Sequence, residues 1–321
     1  MFQVNTKTTT KRCTETDKMK IFVTGVCGQL GHDVMLEAQK RGYEAIGSDI
    51  HPTYSGIAET PVSKMPYVSL DITDSDAVKN SIGQISPDVV VHCAAWTAVD
   101  AAEETENKDK VFAINVKGTE NIAKAAKELD CKMVYISTDY VYSGQGSEPW
   151  TADCKDYAPL SVYGTSKLQG EQAVSEILNK FFIVRTAWVF GLNGKNFIKT
   201  MLTVGKKFDT VSDVCDQIGT PTYTYDLSRL LIDMCESEKY GYYHATNEGG
   251  FISWYDFTCE IFRQAGYTTK VTPVTTEEYG VSKAARPFNS RLDKSKLKEN
   301  GFKPLPTWQD ALERYLKEIS Y

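Results

Sequence analysis

The chain has 321 residues, 41% hydrophobic and 24% charged, the proportions of an ordinary globular protein rather than a disordered or fibrous one. Its formal net charge of −6 argues against a nucleic-acid partner, and no apolar run approaches the ~20 residues that span a bilayer. The eight cysteines form no C-x-x-C pair and the histidines number four, which excludes a zinc spacing, a disulfide framework and a histidine-rich metal site.

Residues 1–18, rich in Thr and Lys and without the apolar core of a signal peptide, read as a disordered extension, so a cytoplasmic protein is expected. The apolar pattern then begins to alternate. Strands are predicted at Lys20–Gly25, Tyr43–Asp49, Tyr67–Leu70, Asp88–Cys93, Lys132–Ser137 and Phe181–Arg185. Helices are predicted between them at Gln29–Arg41, Ser75–Ile85, Glu103–Leu129 and Leu160–Leu178. Strands rich in Val and Ile that alternate with helices imply a parallel sheet covered on both faces, a doubly wound α/β domain of the Rossmann type. After Arg185 the rhythm loosens. A helix is still legible at Ser253–Ala265, where Trp254, Phe257 and Ile261 share one face and read as core packing. A smaller C-terminal lobe is expected from this part of the chain.

Gly25, Gly28 and Gly31 form G-x-x-G-x-x-G between the first strand and the first helix. A pyrophosphate needs backbone N–H groups at a helix N-terminus with no side chain in the way, and glycines open that approach. Gln29 and Leu30 lie within the same turn. Asp49, about 20 residues on at the end of the second strand, is a candidate partner for an adenosine ribose. Asp71 and Ile72 follow the third strand, and Ala94, Ala95 and Trp96 follow the fourth, in positions to contact the same dinucleotide. Residues 19–184 are therefore expected to bind NADPH or NADH, completed by part of 211–247, with 185–321 mainly a substrate-binding lobe.

Tyr163 and Lys167 form Y-x-x-x-K, and residues four apart share one helix face. A phenol has an ordinary pKa of about 10, which a neighbouring ammonium lowers toward the range useful for protonating a carbonyl oxygen. Thr138, at the end of the fifth strand, supplies a hydroxyl to orient that carbonyl. Asn115, within the long helix, is a further polar candidate.

The stretches Ala98-Val-Asp-Ala-Ala-Glu-Glu, Ser137-Thr-Asp-Tyr-Val-Tyr, Val162-Tyr-Gly-Thr-Ser-Lys, Arg185-Thr-Ala-Trp-Val-Phe-Gly, Lys195-Asn-Phe, Asp216-Gln-Ile-Gly-Thr-Pro-Thr and Arg286-Pro-Phe-Asn-Ser-Arg-Leu extend the pattern. With them the chain resembles the dTDP-4-dehydrorhamnose reductase family, extended short-chain dehydrogenases, from about Met19 to the C-terminus. The resemblance implies reduction of the 4-keto group of dTDP-6-deoxy-L-lyxo-4-hexulose to dTDP-L-rhamnose. It implies Thr138, Tyr163 and Lys167 as the catalytic trio, and Asp139, Trp188, Asn196 and Arg286 on the substrate side. Some family members are dimers bridged by Mg²⁺. Here Asp33 stands where they carry Glu and Tyr225 replaces a second acid, so no metal is expected, and a monomer or weak homodimer is. Two alternatives stay open: an epimerase or dehydratase of nucleotide sugars on the same scaffold, or a non-catalytic regulatory subunit resembling the beta subunit of methionine adenosyltransferase. Dehydratases of this superfamily carry Glu where this chain has Tyr140.

Overall fold

β-branched residues concentrate in the segments that form the central sheet, because a strand buried on both faces favours stiff, apolar side chains. In the computed structural model, which describes residues 18–280 and 282–319, these are β1 (Lys20–Thr24), β2 (Glu44–Asp49), β3 (Tyr67–Ser69), β4 (Val89–His92), β5 (Lys132–Thr138), β6 (Phe181–Thr186) and β7 (Gly241–His244). The extension expected over 1–18 lies outside the described residues except for Lys18. All seven strands pair in parallel in the order β7-β6-β5-β4-β1-β2-β3. The chain therefore reverses direction across the sheet between β1 and β4, and a crevice opens there at the strands' C-terminal ends.

The pleat sorts the core into two layers. Ile21 and Val23 face Val34, Met35 and Ala38 of the Gln29–Lys40 helix and Leu227, Leu230 and Leu231 of the Thr224–Cys235 helix. Phe22 faces the opposite layer, where Val78, Ile82, Ile122 and Val174 come from the helices Ser75–Ile85, Thr119–Glu128 and Val162–Ile177. A separate C-terminal core gathers Phe190, Ile198, Leu202, Phe257, Ile261 and Leu312. Ser253 caps the Trp254–Ala265 helix in a reciprocal capping box with Asp256, as its position before the apolar stripe predicts. Among the described residues no helix is long and apolar enough to cross a membrane.

The long helix expected at Glu103–Leu129 is interrupted. A short helical turn at Val99–Ala102 ends before extended Glu104, and the helix resumes at Thr105–Phe112. It then widens into a π-helical turn at Ala113–Gly118 before continuing as Thr119–Glu128. Side-chain chemistry accounts for both breaks. Glu103 turns its carboxylate to the Val162 N–H, 2.8 Å away, at the start of another helix. Asn115 accepts from the Trp96 N–H (2.8 Å) and donates to the Ser166 hydroxyl (2.9 Å), tying the widened turn to its neighbours. β7 was not among the expected strands; Gly-Tyr-Tyr-His is short and lacks the aliphatic run that marks the others.

Arg185 on β6 is fully buried and uses its fork completely. It donates to both oxygens of Glu171 (2.9 and 2.7 Å), to the hydroxyls of Tyr142 (2.5 Å) and Tyr157 (2.8 Å), and to the Ala152 carbonyl (3.2 Å). Arg185→Met leaves a buried carboxylate without its cation, and is expected to cost ~3–5 kcal/mol of stability in urea unfolding. A loss below ~1 kcal/mol would show that the loop carrying Tyr142 and Tyr157 rearranges to hydrate Glu171.

Candidate active site

A cleft of about 720 Å³ runs along the C-terminal ends of the strands, from the glycine turn at one end to Tyr163, Lys167 and Trp188 at the other. At the glycine end Gly25 adopts φ +73°, and a Cβ there would sit 2.6 Å from the Ala94 backbone nitrogen. A Cβ on Gly31 would lie 2.3 Å from the Gly25 carbonyl, so the first helical turn packs directly on the loop. The Gln29–Lys40 helix starts with no side-chain cap and no acidic residue in its first turn. Its leading N–H groups and the positive end of its dipole are thus left to an anion, as a dinucleotide pyrophosphate requires.

Gly25, Gly28, Gln29, Leu30, Gly31, Asp49, Asp71, Ile72, Ala94 and Ala95 all line this cleft. Asp49 accepts from the Cys27 N–H (3.0 Å) and the Ile50 N–H (2.8 Å), bracing the glycine loop while facing the cleft. Asp71 accepts from the Thr73 N–H and hydroxyl at 2.9 and 2.7 Å. Trp96 departs from expectation. Its indole N–H donates to the Ala98 carbonyl (3.0 Å) and its ring lies 5.7 Å from the Lys110 ammonium, while Ala95 and Thr97 on either side line the cleft.

At the other end the Val162–Ile177 helix, capped by Ser161, carries Tyr163 and Lys167 into the cleft beside Thr138. Tyr163 and Thr138 face the same stretch of the cleft. The Lys167 ammonium sits 4.1 Å from the centre of the Tyr135 ring. The expected tuning of the phenol by the ammonium is not what governs this site. Burial, followed by the Asp139 carboxylate, drives Tyr163 well above the ordinary phenol range. Burial brings Lys167 down to about 7. Tyr163 is therefore a firmly protonated acid, and Lys167 carries its charge below about 7.

Asp139 lines the cleft but has both oxygens engaged, by the Thr138 hydroxyl at 2.9 Å and the Ser290 hydroxyl at 2.5 Å. Burial still raises it to about 6. Trp188 forms a wall: its indole stacks on Trp254 with centroids 3.7 Å apart, and its edge rests on Gly219. Its φ of +50° is unusual for a bulky residue, a strain held by surrounding packing and of the kind that gathers at ligand sites.

Two residues expected on the substrate side stand off the lining of this cleft. Asn196 does not line the cleft. It caps the Phe197–Gly205 helix through the Lys199 N–H and donates to Gln29, Gly191 and Tyr315, while the preceding residue, Lys195, faces the cleft. Arg286 also lies off the lining and is paired to Asp100. Asp33 points into the protein, accepting from the Thr224 hydroxyl at 2.5 Å, and burial lifts it to about 7. Tyr225 contacts Lys40 and Arg314 instead of Asp33. Among the described residues no group of His, Cys, Asp and Glu is arranged to hold a metal, and the seven described cysteines are free.

The sequence reading missed Ile50, His51, Ser137, Thr186 and Lys195, all on the lining. Ile50 was detectable as an apolar residue placed directly after a strand-end acid, and it stands 61% exposed at the cleft. Ser137 carried no separate signal, and its hydroxyl is buried without a hydrogen-bond partner among the described residues.

A doubly wound sheet, an uncapped glycine-turn helix at its switch point and a Tyr–Lys pair beside Thr138 define an oxidoreductase of the extended short-chain dehydrogenase class. The chain belongs to the family described as RmlD substrate binding domain, whose model matches residues 19–321. It is 37% identical over 301 residues to the spore coat polysaccharide biosynthesis protein SpsK of Bacillus subtilis, covering 94% of this chain and 98% of that one. It is 35% identical over 308 residues to a dTDP-4-dehydrorhamnose reductase of Aggregatibacter actinomycetemcomitans, covering 92% and 97%. The crystal structure of the dTDP-4-dehydrorhamnose reductase of Bacillus anthracis in complex with NADP superposes with a TM-score of 0.84. That match has 39% identity and spans 94% of this chain and all of that one.

Proposed function

We propose that the chain reduces the 4-keto group of dTDP-6-deoxy-L-lyxo-4-hexulose to give dTDP-L-rhamnose, with NADPH or NADH as the reductant. The observation that carries this reading is the placement of Tyr163 beside Thr138 and one helical turn from Lys167, at the far end of a cleft that begins at the glycine turn. When bound, the nicotinamide supplies a hydride. Tyr163 gives its proton to the carbonyl oxygen as that hydride arrives, and Lys167 holds a positive charge four residues away on the same helix. Trp188 walls the space for the sugar. Residues 19–184, with part of 211–247, serve the cofactor in this reading, and 185–321 mainly serve the nucleotide sugar. The protein acts in the cytoplasm, as a monomer or weak homodimer. Loss of the reduced-nicotinamide absorbance with the 4-keto sugar nucleotide, and appearance of dTDP-L-rhamnose, test the reading.

Asp49 sets the expected cofactor range. Its carboxylate stands where NADPH carries a 2′-phosphate, which disfavours NADPH electrostatically. The protein is therefore expected to use both cofactors, with kcat/KM for NADPH exceeding that for NADH by less than about 100-fold (~2.7 kcal/mol). A larger ratio would mean that cations on the lining outweigh Asp49.

A further inference from the structure

We infer that Asp100 is a positioning residue for the diphosphate of the nucleotide sugar: it grips one edge of the Arg286 guanidinium and leaves the other edge to the anion. The inference deepens the function proposed above and rests on it for the identity of the ligand. Asp100 sits on the short helical turn Val99–Ala102 that follows β4, next to Val99 on the cleft lining. Its Oδ1 accepts from the Ser282 hydroxyl (3.3 Å), the N–H groups of Lys283 (3.1 Å) and Ala284 (3.0 Å), and Arg286 Nη1 (3.1 Å). Its Oδ2 accepts from Arg286 Nη2 at 2.6 Å. Burial acts against the charge, yet the Ala284 N–H and Arg286 together hold the Asp100 carboxyl below its ordinary range.

Apart from the exposed Lys283–Glu104 ion pair at 2.9 Å, little else fixes this stretch of chain. Ser282, Lys283, Ala285 and Phe288 are exposed, and Ala284 and Pro287 are its only small buried apolar contacts before Asn289. Its far end is secured separately, by the Asn289 N–H on the Gly144 carbonyl (2.8 Å) and by Ser290 on Asp139. Arg286 is thus suspended between two carboxylate anchors beside Tyr140, which lines the cleft and feels the Arg286 charge.

A guanidinium offers two bidentate edges, one through both Nη atoms and one through Nε and Nη2. Asp100 occupies the first. Apart from a 3.4 Å contact of Nη1 with the Ala284 carbonyl, no other described residue accepts from Arg286, so the Nε edge stands unclaimed. An edge of that geometry matches two oxygens of a phosphate. Lysine in its place has no second edge to offer.

Asp100→Asn, Arg286→Lys and the double variant test this. Asp100→Asn is expected to raise KM for the nucleotide sugar about tenfold. It should leave kcat within about threefold of normal and NADPH affinity unchanged, because Asp100 acts on binding and lies away from Tyr163. The double variant should be no worse than Arg286→Lys alone, because Asp100 acts through Arg286. Hydrogen exchange at the Lys283 and Ala284 amides of the free protein should accelerate in Asp100→Asn. Binding of dTDP alone, by calorimetry, should weaken about tenfold in the same variant, which reads the inference even if the sugar proves to be a different one. An unchanged KM and dTDP affinity, effects that multiply in the double variant, or unaltered amide exchange would each overturn it.

Discussion

Replacing Tyr163 with Phe is expected to lower kcat by ~10²-fold or more while leaving NADPH affinity within a few-fold of normal. The phenol hydroxyl is the only part lost, and the ring keeps its T-shaped contact with Tyr140, centroids 5.5 Å apart. Two groups remain beside the reacting carbonyl, and neither replaces the acid. Thr138 directs its single hydroxyl proton to Asp139, so its oxygen presents lone pairs to the cleft. Lys167 is held by burial near 7 and lies over the Tyr135 ring, one turn along the helix. The expected signature is a fall in kcat and kcat/KM together, read by single-turnover oxidation of bound NADPH. A variant with kcat within threefold of normal would assign the proton to another donor.

The fold was legible wherever packing is periodic. Val89, Val90 and Val91 announce a buried strand because adjacent residues must suit opposite layers, and they divide between the two cores accordingly. The glycine turn was legible because few residue types tolerate the close approach between Gly25 and Ala94. Local polar competition hid other features. Asn115 and Glu103 break a helix that its composition favours, each by satisfying a backbone N–H on a distant segment. Assigning Asn196 to the cleft missed by one position. An N-cap side chain must fold back onto its own helix, which turns Asn196 inward and Lys195 outward. The pairing of Asp100 with Arg286 spans 186 residues, and no local pattern encodes it. Both stand within separate motifs of the sequence, and the structure pairs them where the Val99–Ala102 turn meets the segment that carries Arg286.

Given NAD⁺ and dTDP-glucose, the protein is expected to form no 4-keto-6-deoxy product. Elimination of water from a hexose across C5–C6 needs a base for the C5 proton and an acid for the departing hydroxyl. The residue that follows Asp139 is Tyr140, whose phenol is pushed above the ordinary range by burial and then by the Asp139 charge, so it stays protonated near neutral pH. Asp139 lines the cleft beside Tyr140, but each of its oxygens already accepts from a hydroxyl, of Thr138 and of Ser290. Burial holds it near 6, so at pH 7 it is mainly ionised and a poor acid for a leaving hydroxyl. A lone carboxylate cannot serve as both base and acid, so half of the elimination machinery is missing. Reduction asks for less: a hydride from the cofactor, one proton from Tyr163 and a carbonyl held against the Trp188 wall. With NADPH and dTDP-6-deoxy-L-lyxo-4-hexulose the reduced-nicotinamide absorbance should fall as dTDP-L-rhamnose accumulates, resolved by anion-exchange chromatography. Formation of the 4-keto product in the first incubation would make the protein a dehydratase. Inactivity in both, with NADPH still bound at the glycine turn, would favour a regulatory subunit that keeps the cleft and has lost the reaction.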